Sequence, residues 1–362
     1  MRFFLRENSP TFWNGSRFGA KSYQTDAIWI MIDYLPNLIL ILISLYVLMA
    51  LGYMVYSLRH AKRAEKMVPP RGAFTTISSG RLHYLDCGEG PTILMIHGLA
   101  GNLGHFDCGI IDDLAKNFRV VAIDRPGSGY SDRPDDHAAN VRAQARLVSE
   151  VIDRLELDTP LVVGHSLGGA IALALALEKP ELVRGLALLS PLSLPVNEQA
   201  DVFSELDIKS DVIRKLTAWT TAVPHMRRHP EPVRQQIFGP DEIPPEFGQR
   251  GGGYLALRPR AFFNASRDFR ALEEDLPGMA REYAKLAVPV RVLFGRDDRI
   301  LNPEHHGELL VRRYPQIGLK MIDGGHMIPV THPEECVTFI RKAAEAMKDR
   351  KFISRASPEV YR

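Results

Sequence analysis

Short, nearly unbroken apolar runs punctuate the chain at 92–96, 119–123, 161–163, 185–190, 290–295 and 319–322. Runs of Val, Ile and Leu without period-two alternation read as strands buried on both faces. Between them the period changes to that of a helix. Over 140–155, Val141, Ala145, Val148, Val151, Ile152 and Leu155 fall on one face, and further helices are expected after Ser166 as far as Lys179, near 303–314 and from about Pro333 to Met347. Residues 73–86 alternate instead, with Gly80-Arg81 between the two halves, which predicts a hairpin. Alternating strands and helices predict an α/β domain over 72–347, with a mostly parallel central sheet covered by helices. The alternation breaks over 191–286, where helical patches are mixed with Pro244-Pro245 and Gly251-Gly252-Gly253. This portion is expected to be an inserted, mainly helical lid.

One run is of a different kind. Residues 38–58, LILILISLYVLMALGYMVYSL, carry no charge over 21 positions. At about 1.5 Å per residue, a helix of that length matches roughly 30 Å of bilayer hydrocarbon. Trp29 and Tyr34 before it, with Tyr53 and Tyr56 near its end, suit the two interfaces. The run is too long for the core of a signal peptide, and no A-x-A follows. A single-pass transmembrane helix is therefore expected at 38–58. Arg59, Lys62, Arg63, Lys66 and Arg71 follow it and only Glu65 opposes them. The excess of basic residues predicts that the C-terminal bulk lies on the cytoplasmic side. Residues 1–37 show no period and are expected to be a flexible segment, 59–71 a basic linker and 348–362 a charged tail.

Composition narrows the function classes. With 45 Lys and Arg against 43 Asp and Glu, the net charge of +2 gives no case for a nucleic-acid partner. Cys87, Cys108 and Cys336 are odd in number and form no C-x-x-C, so they imply neither a zinc site nor a disulfide framework and fit a reducing compartment. No spacing of His, Asp or Glu suggests a metal, and no cofactor is expected.

Candidate chemistry centres on Gly164-His165-Ser166-Leu167-Gly168, between an apolar strand and an Ala/Leu-rich helix. A lone G-x-S-x-G is a weak signal; its strand–turn–helix context sharpens it. Glycines let the turn fold tightly and hold Ser166 exposed at a helix N-terminus, with the Leu167 N–H facing a developing oxyanion. A serine nucleophile needs a base, and the base an orienting acid. Past the strand at 290–295 stand Asp297 and Asp298, either of which could be that acid. Past the next strand stands His326, in Asp323-Gly324-Gly325-His326. Strand carboxyl ends share one edge of a parallel sheet, so these groups are expected to converge there.

Over 72–347 the chain resembles the α/β-hydrolase superfamily, in its lid-bearing esterase, lipase and epoxide-hydrolase-like branch. The resemblance rests on His97-Gly98, Asp124-x-Pro-Gly-x-Gly-x-Ser131, Gly164-His-Ser-Leu-Gly168, Gly295-x-x-Asp298 and Gly325-His326. It implies Ser166 as nucleophile, Asp298 as acid and His326 as base, with the backbone N–H groups of Leu99 and Leu167 as oxyanion hole. It favours Asp298 over Asp297 by the three-residue spacing after Gly295. Dehalogenases and epoxide hydrolases of the fold use an Asp nucleophile, which Ser166 opposes. The expected activity is a membrane-anchored serine hydrolase cleaving carboxylic esters, lipid-like ones included. Carbon–carbon bond hydrolases, lactonases, amidases and haloperoxidases share the triad and stay open, as does a non-catalytic tethered protein of the same fold. Of the remaining histidines, His97 and His165 read as structural hydrogen-bonders, His305-His306 as a solvated helix start, and His225 and His229 as pocket-lining or surface residues.

Overall fold

The computed structural model describes residues 19–196 and 201–347, with the backbone alone described at 19–33, 201 and 202. The expected charged tail lies outside the described residues, as does the first half of the expected N-terminal segment. The chain divides into two compact units, Met1–Gly52 and Tyr53–Arg362.

A single helix, α1 (Gly19–Met67), contains the apolar run. It is longer at both ends than the expected span. Residues 19–37, read as lacking a period, are helical, and so are 59–67, read as a linker. The latter are rich in Arg, Lys and Ala, all good helix formers, and the helix stops just short of Pro69-Pro70, where the next peptide can no longer take helical geometry. Large apolar side chains from Leu35 to Val55 are exposed, among them Leu38, Leu42, Leu45 and Leu48. By length and composition this helix suffices to cross a membrane.

The larger unit is built on eight strands: β1 (Ala73–Ile77), β2 (Gly80–Cys87), β3 (Thr92–Ile96), β4 (Arg119–Ile123), β5 (Leu161–His165), β6 (Gly185–Leu189), β7 (Val290–Gly295) and β8 (Ile317–Ile322). Their order is β1-β2-β4-β3-β5-β6-β7-β8. β1 and β2 pair antiparallel, as do β2 and β4, and every other neighbouring pair is parallel. The hairpin turn falls at Ser78-Ser79, because Ile77 pairs with Gly80, and not at Gly80-Arg81 as the alternation suggested.

Helices cover both faces of the sheet. Leu94, Ile96, Val121, Ile123, Val162, Leu186 and Leu188 join one core cluster, packed under α4 (Val141–Arg154) and α5 (Leu167–Glu178). Their strand neighbours Ile93, Met95, Val120, Ala122, Leu161, Val163 and Leu189 join the other. That face also carries α2 (Gly104–Asp107), α3 (Ile110–Leu114), α12 (Ile328–Thr331) and α13 (Pro333–Ala346). Strand residues therefore alternate between two cores, which is why the central runs show no period-two alternation of apolar and polar residues. Helix α5 is buried from Leu167 to Ala176, which accounts for its all-round apolar composition.

Between β6 and β7 the chain leaves the sheet and forms α6 (Asp211–Thr217), α7 (Val223–Arg228), α8 (Pro230–Phe238), α9 (Pro259–Arg270) and α10 (Leu272–Glu282), joined by single turns. Between β7 and β8, a wide turn at Glu304–Leu309 runs into α11 (Leu310–Arg313).

Candidate active site

Four loops leave the carboxyl ends of β3, β5, β7 and β8, and they carry the residues singled out from the sequence. Ser166 follows β5 directly with φ 53° and ψ −119°, a positive-φ conformation that strains a residue bearing a side chain. The surroundings enforce it. A Cβ on Gly164 would lie 2.5 Å from the Gly168 carbonyl oxygen, and one on Gly168 would lie 2.1 Å from the Ile96 oxygen. Only glycine permits strand, turn and helix to pack this closely. The Ser166 N–H donates to the Leu189 carbonyl (3.1 Å), and its own carbonyl accepts from Gly169 (2.9 Å) and Leu192 (3.0 Å).

Asp298 and His326 meet at one hydrogen bond, His326 Nδ1 to Asp298 Oδ2, at 2.7 Å with both side chains buried. The other carboxylate oxygen accepts the N–H groups of Ile300 (2.8 Å) and Leu301 (2.9 Å), which fixes the carboxylate plane. With Nδ1–H donating, His326 Nε2 keeps its lone pair. The geometry distinguishes the two adjacent acids, since Asp297 is exposed and its N–H pairs with the Gly324 carbonyl (3.0 Å). Gly295 makes the approach possible: a Cβ there would sit 2.4 Å from the carbonyl oxygens of both Gly324 and Gly325.

The serine and histidine loops are joined by His165, whose Nε2 donates to the His326 carbonyl at 3.1 Å. Burial holds the His165 and His97 rings neutral, well below the usual imidazole range. Both are hydrogen-bonders, as read from the sequence. His97 Nε2 accepts from the Arg125 N–H (3.0 Å) and its Nδ1 donates to the Gly98 carbonyl (2.8 Å).

The loop after β3 runs beside the serine, because a Cβ on Gly98 would lie 2.9 Å from Ser166 Cβ. Its orientation is set by Arg125, a fully buried guanidinium that donates to the carbonyls of His97 (3.0 Å) and Gly98 (2.9 Å). Carbonyl and N–H point oppositely across a trans peptide, so fixing the Gly98 carbonyl turns the Leu99 N–H away from Arg125. Leu167 is the first residue of α5, and its N–H is one of those a helix start leaves without an intrahelical acceptor. Asp124 ties the loops together from behind, accepting from Leu103 N–H (2.8 Å), Tyr130 N–H (2.8 Å) and His83 Nδ1 (2.7 Å).

Two residues that the sequence did not single out support this arrangement from the helical insertion. Asp268 on α9 pairs with Arg125 (2.9 Å) and Arg133 (2.6 Å), all three buried. Asp241 accepts from the Gly325 N–H (2.9 Å), next to His326, and from the Thr331 hydroxyl (3.1 Å). Neither lies in a recognisable motif; only the fold brings them in.

His306 departs from its reading as part of a solvated helix start. It is buried, its Nδ1 faces the N–H groups of Ser193 and Leu194 (both 3.4 Å), and burial lowers its pKa to about 3. The chain after β6 packs over it. His305, beside it, donates through Nε2 to the Pro195 carbonyl (2.9 Å). His225 and His229 are exposed and touch through tilted rings, with His225 bonded to Glu205 (2.8 Å), so they are surface residues. The three cysteines are free thiols.

Comparison with known proteins agrees with this architecture. A family model for the alpha/beta hydrolase fold matches residues 91–333. An uncharacterized protein of Mycobacterium tuberculosis is 27% identical over 298 residues, covering 75% of this chain and 80% of its own. A 2-hydroxy-6-oxo-6-phenylhexa-2,4-dienoate hydrolase of Burkholderia cepacia is 27% identical over 262 residues, 71% of this chain and 89% of its own. Among solved structures, a bacterial membrane phospholipase A superposes with a TM-score of 0.62 at 22% identity, covering 88% of this chain and all of its own. The matched family model spans the strands and loops that hold Ser166, Asp298 and His326, and the chain belongs to the alpha/beta hydrolase fold family.

Proposed function

We propose that the protein is a membrane-anchored serine hydrolase that cleaves carboxylic esters, with lipid-like esters as the favoured class. The observation that carries this reading is the buried Asp298–His326 hydrogen bond of 2.7 Å, on the same sheet edge as a strained Ser166. Asp298 holds the imidazole in the tautomer that leaves Nε2 basic. His326 Nε2 takes the Ser166 hydroxyl proton as Oγ attacks the ester carbonyl carbon. The Leu99 and Leu167 N–H groups stabilise the oxyanion, and each such donor typically contributes about 10²–10³ in rate. His326 then gives the proton to the leaving alkoxide, and the acyl group stays on Ser166. Water, deprotonated by the same Nε2, releases the acid and restores the serine.

The membrane part of the reading is supported by the exposed apolar helix and by the likeness to a membrane phospholipase A. The excess of basic residues after the span, Arg59, Lys62, Arg63 and Lys66, supports a cytoplasmic hydrolase domain by the positive-inside rule. The helical insertion acts as the lid over the site.

A fluorophosphonate, which phosphonylates an activated serine, tests the chemistry. Peptide mass spectrometry should find the adduct on Ser166, and a protein with no adduct there contradicts the reading. The likeness to the dienoate hydrolase favours a second reading, hydrolysis of such dienoates by the same three residues. Serine-dependent turnover of the dienoate with none of any ester would replace the ester reading.

A further inference from the structure

The insertion helix that begins at Asp211 presents a large apolar face to solvent. Val212, Ile213 and Leu216 are 69%, 56% and 59% exposed, on adjacent turns of α6. Single exposed apolar residues are ordinary, whereas three large ones clustered on one short helix form a patch that calls for an occupant.

Where this helix lies identifies the occupant. Helix α6 passes without a break in helical geometry through a wide turn at Ala218–Ala222 into α7. Ser57 of α1 is fully buried and donates to the Thr220 carbonyl (3.2 Å). Arg227, seven residues beyond Thr220, meets the Tyr56 hydroxyl (3.1 Å) and His60, on either side of Ser57. Thr220 and Arg227 thus both meet α1 within Tyr56–His60, the turn that closes and follows the apolar run. Helix α6 ends three residues before Thr220, so it stands beside the end of α1 that is covalently continuous with the apolar run. Exposed Met54, Val55 and Leu58 continue the apolar surface along α1. Exposed Arg59, Lys62, Arg63 and Arg228 follow toward the C-terminal ends of the two helices. Apolar residues ahead of a basic belt are the pattern of a helix seated in a bilayer interface containing anionic lipid.

We propose that α6 is a membrane-docking element: Val212, Ile213 and Leu216 insert into the surface of the bilayer that holds α1, so that the insertion meets ester substrates from the lipid phase. This rests on the anchored-hydrolase reading above.

The test uses the full chain, with Cys87 replaced by serine and Cys108 and Cys336 left buried. A polarity-sensitive fluorophore is placed on Ile213→Cys, Leu216→Cys or, on α8, Val233→Cys. The protein is reconstituted in vesicles of phosphatidylcholine and phosphatidylglycerol with and without brominated acyl chains. Bromine quenching and a blue shift at 213 and 216, absent at 233, are expected. In parallel, Ile213→Asp/Leu216→Asp should lower turnover of a vesicle-borne ester by about tenfold or more while leaving that of a soluble short-chain ester unchanged. Probes reporting water at 213 and 216 in a protein that resists alkaline carbonate extraction overturn the docking alone. Release by carbonate overturns the anchor and the docking together. Crosslinked dimers through Ile213→Cys without lipid quenching assign the face to a second copy and equally overturn the proposal.

Discussion

Arg125 and Asp268 stand 143 residues apart in sequence and meet at 2.9 Å with both side chains buried. Through this pair the helical insertion holds the guanidinium that fixes the carbonyls of His97 and Gly98. Asp268 also neutralises Arg133. Removing its carboxylate leaves two buried cations without their counter-charge, and breaking a buried pair this way typically costs about 3–5 kcal/mol. Asp268→Ala should lower the thermal midpoint sharply in detergent solution. A midpoint equal to that of the parent would show that the pair does not hold the insertion to the sheet.

The two neighbouring acids should respond very differently to the same change. Asp298→Asn keeps the shape of the site but favours the wrong imidazole tautomer, a change that costs about 10⁴-fold in turnover in an analogous triad. Asp297 is exposed, and His326 Nδ1 is bonded to Asp298 instead, so Asp297→Asn should stay within about twofold of the parent. Steady-state rates with one soluble ester measure both. The reverse order would reassign the acid.

His306 gives a prediction for stability against pH. Its imidazole titrates near 6.5 when unfolded and at about 3 in the folded protein, because burial disfavours the charged ring. Between those values the unfolded chain binds a proton that the folded chain does not. Stability is therefore full above the unfolded pKa and falls as pH drops toward the folded one, by about 1.4 kcal/mol per pH unit for this group. His306→Gln keeps an acceptor for the Ser193 and Leu194 N–H groups and removes the titration. Its thermal midpoint should decline less than the parent's between pH 7 and pH 4.5; an identical decline would mean that His306 is not protonated on unfolding.

Much of the sheet is legible in the sequence, because a strand buried on both faces must be a continuous apolar run. The bounds of β3, β4 and β7 fall where the runs do. The serine turn is legible for a related reason: Gly164 and Gly168 answer to backbone contacts within a few residues. His306 is not legible, since what buries it is the Ser193-Leu194 segment, over a hundred positions away, while its own neighbours, Asn302-Pro303-Glu304, read as an exposed helix start. Asp268 and Asp241 are hidden for the same reason. Each is a single carboxylate on the insertion, and nothing local tells a buried counter-charge from a solvated one. The early start of α1 at Gly19 is likewise unsignalled, because mixed polar residues there give no period.

The central claim is that Ser166 is the nucleophile of an ester hydrolase, and its most direct test is turnover of p-nitrophenyl esters with acyl chains from two to sixteen carbons. Parent and Ser166→Ala proteins are purified in the same detergent and compared by thermal midpoint to establish equal folding. Turnover by the parent should rise toward longer chains, with a loss of about 10⁴-fold or more in Ser166→Ala at every length. Turnover in Ser166→Ala within a few-fold of the parent would contradict it.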